Sequence, residues 1–130
     1  YGGALECFER TVDYLKEREQ FGVKIGSFQA LQHRAAHLHT ELELNRSVLM
    51  QALSAADENP EQLPILASMA KARMNELYLT TTNEAVQMHG GIGVTDELDI
   101  GLFLKRARVS VQLFGDTAFH KRRFAELNGF

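Results

Sequence analysis

The chain has 130 residues, 45% hydrophobic and 24% charged, which suits one globular domain with a modest core and excludes a disordered segment. Its formal net charge of −3 leaves no basic excess to neutralise a phosphate backbone, so no nucleic-acid surface is expected. No apolar run approaches the roughly 20 residues that span a bilayer, and the single cysteine, Cys7, cannot close an internal disulfide, which points to reducing, cytoplasmic surroundings.

The chain is already in helical pattern at Tyr1, with no initiator methionine or leader-like stretch, so it reads as part of a longer polypeptide. Ala4, Leu5, Phe8, Val12 and Leu15 recur at steps of three and four and predict a first helix ending at Arg18. Cys7 falls within it as a small packed residue. Phe28, Leu31, Ala35, Leu38, Leu42, Asn45, Leu49, Ala52 and Ala56 then alternate the same steps without a slip, the seam of a long second helix. Asn45 is the polar member of that seam, suited to fixing register or bridging a hydrogen bond across a bundle. Both prolines fall in Asp57-Glu58-Asn59-Pro60-Glu61-Gln62-Leu63-Pro64, which breaks the chain. A third helix is predicted from about Pro64 to His89, carrying Ile65, Met69, Ala72, Leu79 and Val86. Beyond it, Thr95 or Asp96 can cap a fourth helix running through Asp99 to about Leu113, and Asp116 can cap a short fifth. Strand signals are weak throughout. The predicted fold is all-α: an antiparallel up-and-down four-helix bundle with a short extra C-terminal helix, one domain over residues 1–130.

Several chemistries can be weighed on this frame. His33 and His37 share a helix face with Glu41 one turn on, a spacing zinc can use. None of the five histidines has a glutamate three residues before it, so a di-iron bundle is not encoded; no metal is predicted, and the histidines read as solvated or interface side chains. Ser47 and Ser110 sit mid-helix without a glycine elbow, which leaves nucleophilic hydrolysis unsupported. Lys105, Arg106 and Arg108, like Lys121, Arg122 and Arg123, read as solvated basic faces, the alternative being contact with a phosphate-bearing partner.

The most informative stretch is Gln87-Met88-His89-Gly90-Gly91-Ile92-Gly93-Val94. It is either a helix C-cap with Gly90 or Gly91 in the left-handed conformation, or a place where exposed backbone N–H groups meet a phosphate or nucleotide. Arg18, just before Phe21-Gly22, is either a cation favouring the end of its helix or one aimed outward. Taken with Gln29, Gln87, Gly90 and Gly91, it makes a set suited to a dinucleotide: Arg18 for the pyrophosphate, Phe21 for an apolar surface, and the carboxamides for adenosine or ribose edges.

Arg18-x-x-Phe21-Gly22, Ile25, Phe28-Gln29, the downstream Gln87-x-x-Gly90-Gly91, and Phe103-Leu104-Lys105-Arg106-Ala107-Arg108 stand in an order and spacing that resembles the C-terminal helical domain of the acyl-CoA dehydrogenase family, over essentially the whole chain. The resemblance implies a domain that drives homo- or hetero-oligomer formation and holds the ADP half of FAD across a subunit interface. It assigns flavin contacts to Arg18, Phe21, Gln29, Gln87, Gly90, Gly91 and Thr117. It also implies a parent enzyme that introduces an α,β double bond into an acyl-CoA and passes electrons to an electron-transferring flavoprotein. The isolated 130 residues are expected to be inactive. Relatives with oxidase or monooxygenase chemistry, and a purely structural bundle, are the alternatives.

The sequence departs from the family at the catalytic base. Many members carry it in a Tyr-Glu-Gly-Thr segment, where this chain reads Phe114-Gly115-Asp116-Thr117. Gly115 cannot accept a proton, so no catalytic residue is assigned. Either the base lies upstream of Tyr1, or Asp116 acts from one residue away, or the subunit is non-catalytic, a form similar to small subunits of bacterial two-subunit acyl-CoA dehydrogenases. Phe119 stands where a glutamine is common, and Arg106 replaces a usual aspartate.

Overall fold

Five helices form, close to where the apolar residues and the candidate caps place them. In the computed structural model, which describes residues 1–130, they are α1 (Gly2–Glu17), α2 (Gln29–Glu58), α3 (Leu63–His89), α4 (Ile100–Gln112) and α5 (Thr117–Leu127). The expectation of no strands fails in one place: β1 (Glu19–Gln20) and β2 (Val23–Lys24) pair antiparallel, Glu19 opposite Lys24 and Gln20 opposite Val23. All four residues are exposed, so no alternation existed to be read. The pairing follows instead from Phe21 and Gly22, whose φ values of 56° and 79° make a two-residue hairpin turn.

α3 is the axis of the fold, packed by each of the other four helices. Its buried residues therefore lie all round it, Leu66, Ala70, Leu77, Ala85 and Met88 among them, and the predicted Ile65, Met69, Leu79 and Val86 are only half-buried. A helix with neighbours on every side shows no single stripe. Small polar residues let the neighbours approach, and their hydroxyls turn back on the helix: Ser68 donates to the Pro64 carbonyl at 3.1 Å and Thr82 to that of Tyr78 at 2.8 Å.

The α2 seam holds in its middle, where Leu38, Leu42, Asn45 and Ala52 are buried, and slips at both ends. Phe28 is the extended residue before the helix, 38% exposed, so the seam geometry does not reach it. At the far end Ala55, not Ala56, packs with Ala52 on Leu66 and Ala70 of α3. Asn45 is buried as expected, but its amide donates to the Glu41 carbonyl at 2.7 Å, within its own helix rather than across the bundle.

Capping divides the same way. Asp116 caps α5 by accepting the Phe119 N–H at 2.7 Å, as read from the sequence. α4 starts after Asp99 with no side-chain cap, while Thr95 closes the preceding turn by donating to the Ile92 carbonyl at 2.8 Å. Asp99 faces Arg10 at 3.4 Å instead. Arg123 leaves the expected solvated face: it donates to the Pro64 carbonyl at 2.8 Å and to the Ser68 hydroxyl, pinning α5 to the start of α3. No helix is long and apolar enough to cross a membrane.

Candidate functional site

Leu15, Ile25, Leu38 and Met88 form a buried cluster that ties the end of α1, the hairpin and the end of α3 together. Each leucine so buried contributes about 1.5–3 kcal/mol, which makes this corner a rigid platform. Above it opens a groove of about 500 Å³, within the ordinary range for small-molecule sites. Arg18, Phe21, Gln87, Gly90 and Gly91 all line it. The structure thus brings five of the seven sequence-predicted residues to one place, from segments about 70 residues apart.

Arg18 is held by its backbone and free at its tip. Its N–H donates to the Tyr14 carbonyl and its own carbonyl accepts the Ile25 N–H, both at 2.9 Å. Its guanidinium pairs with no carboxylate, because neighbouring Glu19 is taken by Lys24 at 2.6 Å. The Lys24 partner also holds the Glu19 carboxyl below its usual range. Phe21 is 90% exposed, its ring edge-on to Phe28 at 6.2 Å. A bulky residue at positive φ is an uncommon, strained arrangement, found where surrounding structure or function demands it.

The glycines divide by purpose. Gly90 ends α3 with φ 67° and ψ −145°, a conformation open to glycine alone, so the left-handed cap is corrected. A Cβ on Gly93 would come within 2.8 Å of the Val86 carbonyl oxygen, so that glycine lets the turn fold back on α3. A Cβ on Gly91 would meet nothing within 4 Å; its bareness serves no packing inside the chain.

Two other predicted residues lie apart. Gln29 is the exposed first residue of α2, beside Phe28 at the groove's edge but outside its lining. Thr117 opens α5. Lys121 of that helix reaches Glu76 at 2.5 Å, twelve residues before Met88 on α3, or roughly 18 Å along its axis at 1.5 Å per residue. Thr117 is not among the residues that line the groove.

Sequence reasoning missed Tyr14 and His89, which also line the groove. His89 is 6% exposed and stacks on Tyr14 with ring centroids 4.3 Å apart, so it is no solvated histidine. Burial lowers its pKa, against the opposing effect of its bond to the Ala85 carbonyl. Tyr14 stands one helical turn before Arg18, the signal that could have placed it. His120 is buried as well; His33, His37 and His39 are exposed, and Glu41 is occupied by Arg73 at 2.8 Å. Burial pushes the Cys7 thiol up to about 12, which removes it as a nucleophile.

The base-position segment is closed in on itself. Phe114 and Gly115 hold φ values of 59° and 100°, and His120 Nε2 donates to the Phe114 carbonyl at 2.8 Å. A Cβ on Gly115 would lie 2.7 Å from the Phe119 ring and 2.8 Å from His120 Nε2. No side chain can stand there without moving both neighbours.

Residues 1–127 match the family model described as acyl-CoA dehydrogenase, C-terminal domain. The chain is 41% identical over 122 residues to the acyl-CoA dehydrogenase IpdE2 of Mycolicibacterium smegmatis, covering 94% of this chain and 37% of that protein. The steroid ACAD Tcur3481-Tcur3483, solved as a variant, superposes with a TM-score of 0.92 at 33% identity, covering 98% of this chain and 35% of that one. PigA, solved as its FAD complex, superposes with a TM-score of 0.91 at 28% identity, over 98% of this chain and 33% of its own. The chain spans about a third of the length of such relatives.

Proposed function

The chain belongs to the acyl-CoA dehydrogenase family, as its C-terminal domain, and from that premise we propose that it holds the ADP half of FAD and joins the subunits of an acyl-CoA dehydrogenase. The observation that carries this reading is the groove, where an unpaired guanidinium from Arg18 faces Gln87 and the bare backbone of Gly90 and Gly91. Such a set fits a pyrophosphate: Arg18 offers a forked, charge-assisted contact, and the glycines leave room for a close approach to the backbone. Phe21 and Phe28 give the base an apolar face, and the carboxamides of Gln87 and Gln29 can read sugar or base edges. Bound FAD would supply the hydride acceptor for removal of two hydrogens from the acyl group.

This chain's own residues bind and orient; none of them is assigned the α-proton. Gly115 has no side chain, and Asp116 is engaged as the α5 cap. Thr117, which does not line the groove, would meet a different part of flavin from that held there. The domain would thus work within a homo- or hetero-oligomer whose other segments supply the acyl-CoA pocket. Electrons would pass on to an electron-transferring flavoprotein. A non-catalytic subunit paired with an active one is the second reading, favoured by the closed Phe114-Gly115 turn.

The test is the visible spectrum of the full-length protein, before and after anaerobic addition of acyl-CoAs. A flavin band that acyl-CoA bleaches supports a working dehydrogenase whose base lies elsewhere. A flavin band that no acyl-CoA bleaches favours the second reading. Absence of flavin after gentle purification, with none taken up from added FAD, would sink both.

A further inference from the structure

Few of the side chains that line the groove carry a fixed hydrogen-bond acceptor. Arg18 only donates, and the Gly90 N–H is already given to the Gln87 carbonyl. The Tyr14 hydroxyl is already directed at the His89 carbonyl, at 3.4 Å. Gln87 and Gln20 can turn their amides either way. His89 cannot: its ring is stacked on Tyr14 at 4.3 Å and anchored through Nδ1 to the Ala85 carbonyl at 2.7 Å. A carbonyl only accepts, so Nδ1 carries the proton, and in the neutral ring Nε2 is a bare lone pair. Nε2 has no partner within the chain and is not sealed from solvent. Burial of the ring favours that neutral form.

We infer that His89 is the fixed side-chain hydrogen-bond acceptor of the groove, taking an O–H or N–H donor from the sugar or base of the nucleotide whose phosphates Arg18 holds. This rests on the FAD reading above and goes beyond it. The role is one of specificity: a preset acceptor selects a ligand bearing a donor at that point, because an analogue without it leaves the lone pair unsatisfied. The anchoring costs nothing at binding, since the stack and the Ala85 bond exist beforehand.

The experiment is displacement of FAD from the full-length protein by ADP, 2′-deoxy-ADP, 3′-deoxy-ADP and inosine diphosphate, which lack in turn each sugar hydroxyl and the 6-amino donor. In the wild type, one analogue should bind about three- to tenfold more weakly than ADP, the size of one net hydrogen bond. In His89→Phe, which keeps an aromatic ring against Tyr14, that penalty should fall to near unity. A penalty unchanged in the variant, or none in the wild type, overturns the inference and leaves the FAD reading standing. Failure of ADP to displace FAD from the wild type removes the nucleotide reading and this one together. Should His89→Phe not fold, the 15N resonance of His89 Nε2 in the wild type decides the matter. It should move upfield on adding ADP, as a lone pair does on accepting a hydrogen bond, and no movement overturns the inference.

Discussion

Phe21-Gly22 and Phe114-Gly115 are the same dipeptide, each with both φ values positive. The φ values are 56° and 79° in the first pair, 59° and 100° in the second, and both phenylalanines are 90% exposed. Their surroundings differ entirely. A Cβ on Gly22 would meet nothing within 4 Å, and its turn looks out on a groove with a free arginine. At Gly115 the space is taken by Phe119 and His120, and the turn's own carbonyl is tied to an imidazole. Local sequence sets a turn; the neighbours decide whether it presents a site or closes one.

The largest effect should come from the open turn. Arg18→Ala should weaken FAD binding by about 10- to 100-fold, the loss of a charge-assisted pair. Stability should change by no more than about 0.5 kcal/mol, because the side chain is exposed and unpaired. Flavin retention and urea unfolding separate the two, and a large stability loss would place Arg18 in the fold rather than the site.

At the closed turn, Gly115→Glu should cost about 1–3 kcal/mol, since Phe119 and His120 must both give way. It should not create acyl-CoA turnover. A variant as stable as wild type that bleaches with acyl-CoA would break the contrast between the turns.

The glycine pair at the end of α3 sharpens it. Gly90→Ala should lose about 1 kcal/mol or more, because its φ of 67° strains any side chain. Gly91→Ala should leave the unfolding midpoint unchanged and weaken flavin binding, as nothing in the chain fills the space beside it. Equal effects of the two on stability would contradict that division. Asp116→Ala should cost about 1 kcal/mol through the lost α5 cap, without touching the groove.

The smallest effect is on pH dependence. Burial depresses the folded-state pKa of His89 below the ordinary histidine value, so the unfolded chain binds its proton first as pH falls. The contribution to stability is intact above about pH 6.5 and is lost progressively below it. Urea midpoints between pH 8 and pH 5 should decline less in His89→Phe than in the wild type, and an identical decline would assign the effect to other groups.

Much of this was legible in the chain. The apolar residues marked the first three helices, the two prolines the break between α2 and α3, and Asp116 the start of the fifth. The family resemblance rested on Arg18-x-x-Phe21-Gly22 and Gln87-x-x-Gly90-Gly91, and the groove unites those two segments. His89 was not legible as a site residue, since a histidine before two glycines carries no periodic signal. Its role depends on Tyr14 reaching across from another helix.

By itself the sequence determined the helices and their order, because three-and-four spacing is a property of neighbours along one chain. It also determined that residue 115 cannot be a base, since glycine has no group to hold a proton. Tertiary structure alone decided that α3 is the central helix, that Asn45 bonds within its own helix, and that Thr117 falls outside the groove's lining. It also decided which of two Phe-Gly turns stays open. Those outcomes depend on contacts between residues far apart in sequence, whose geometry exists only once α1, α2, α4 and α5 have packed around α3.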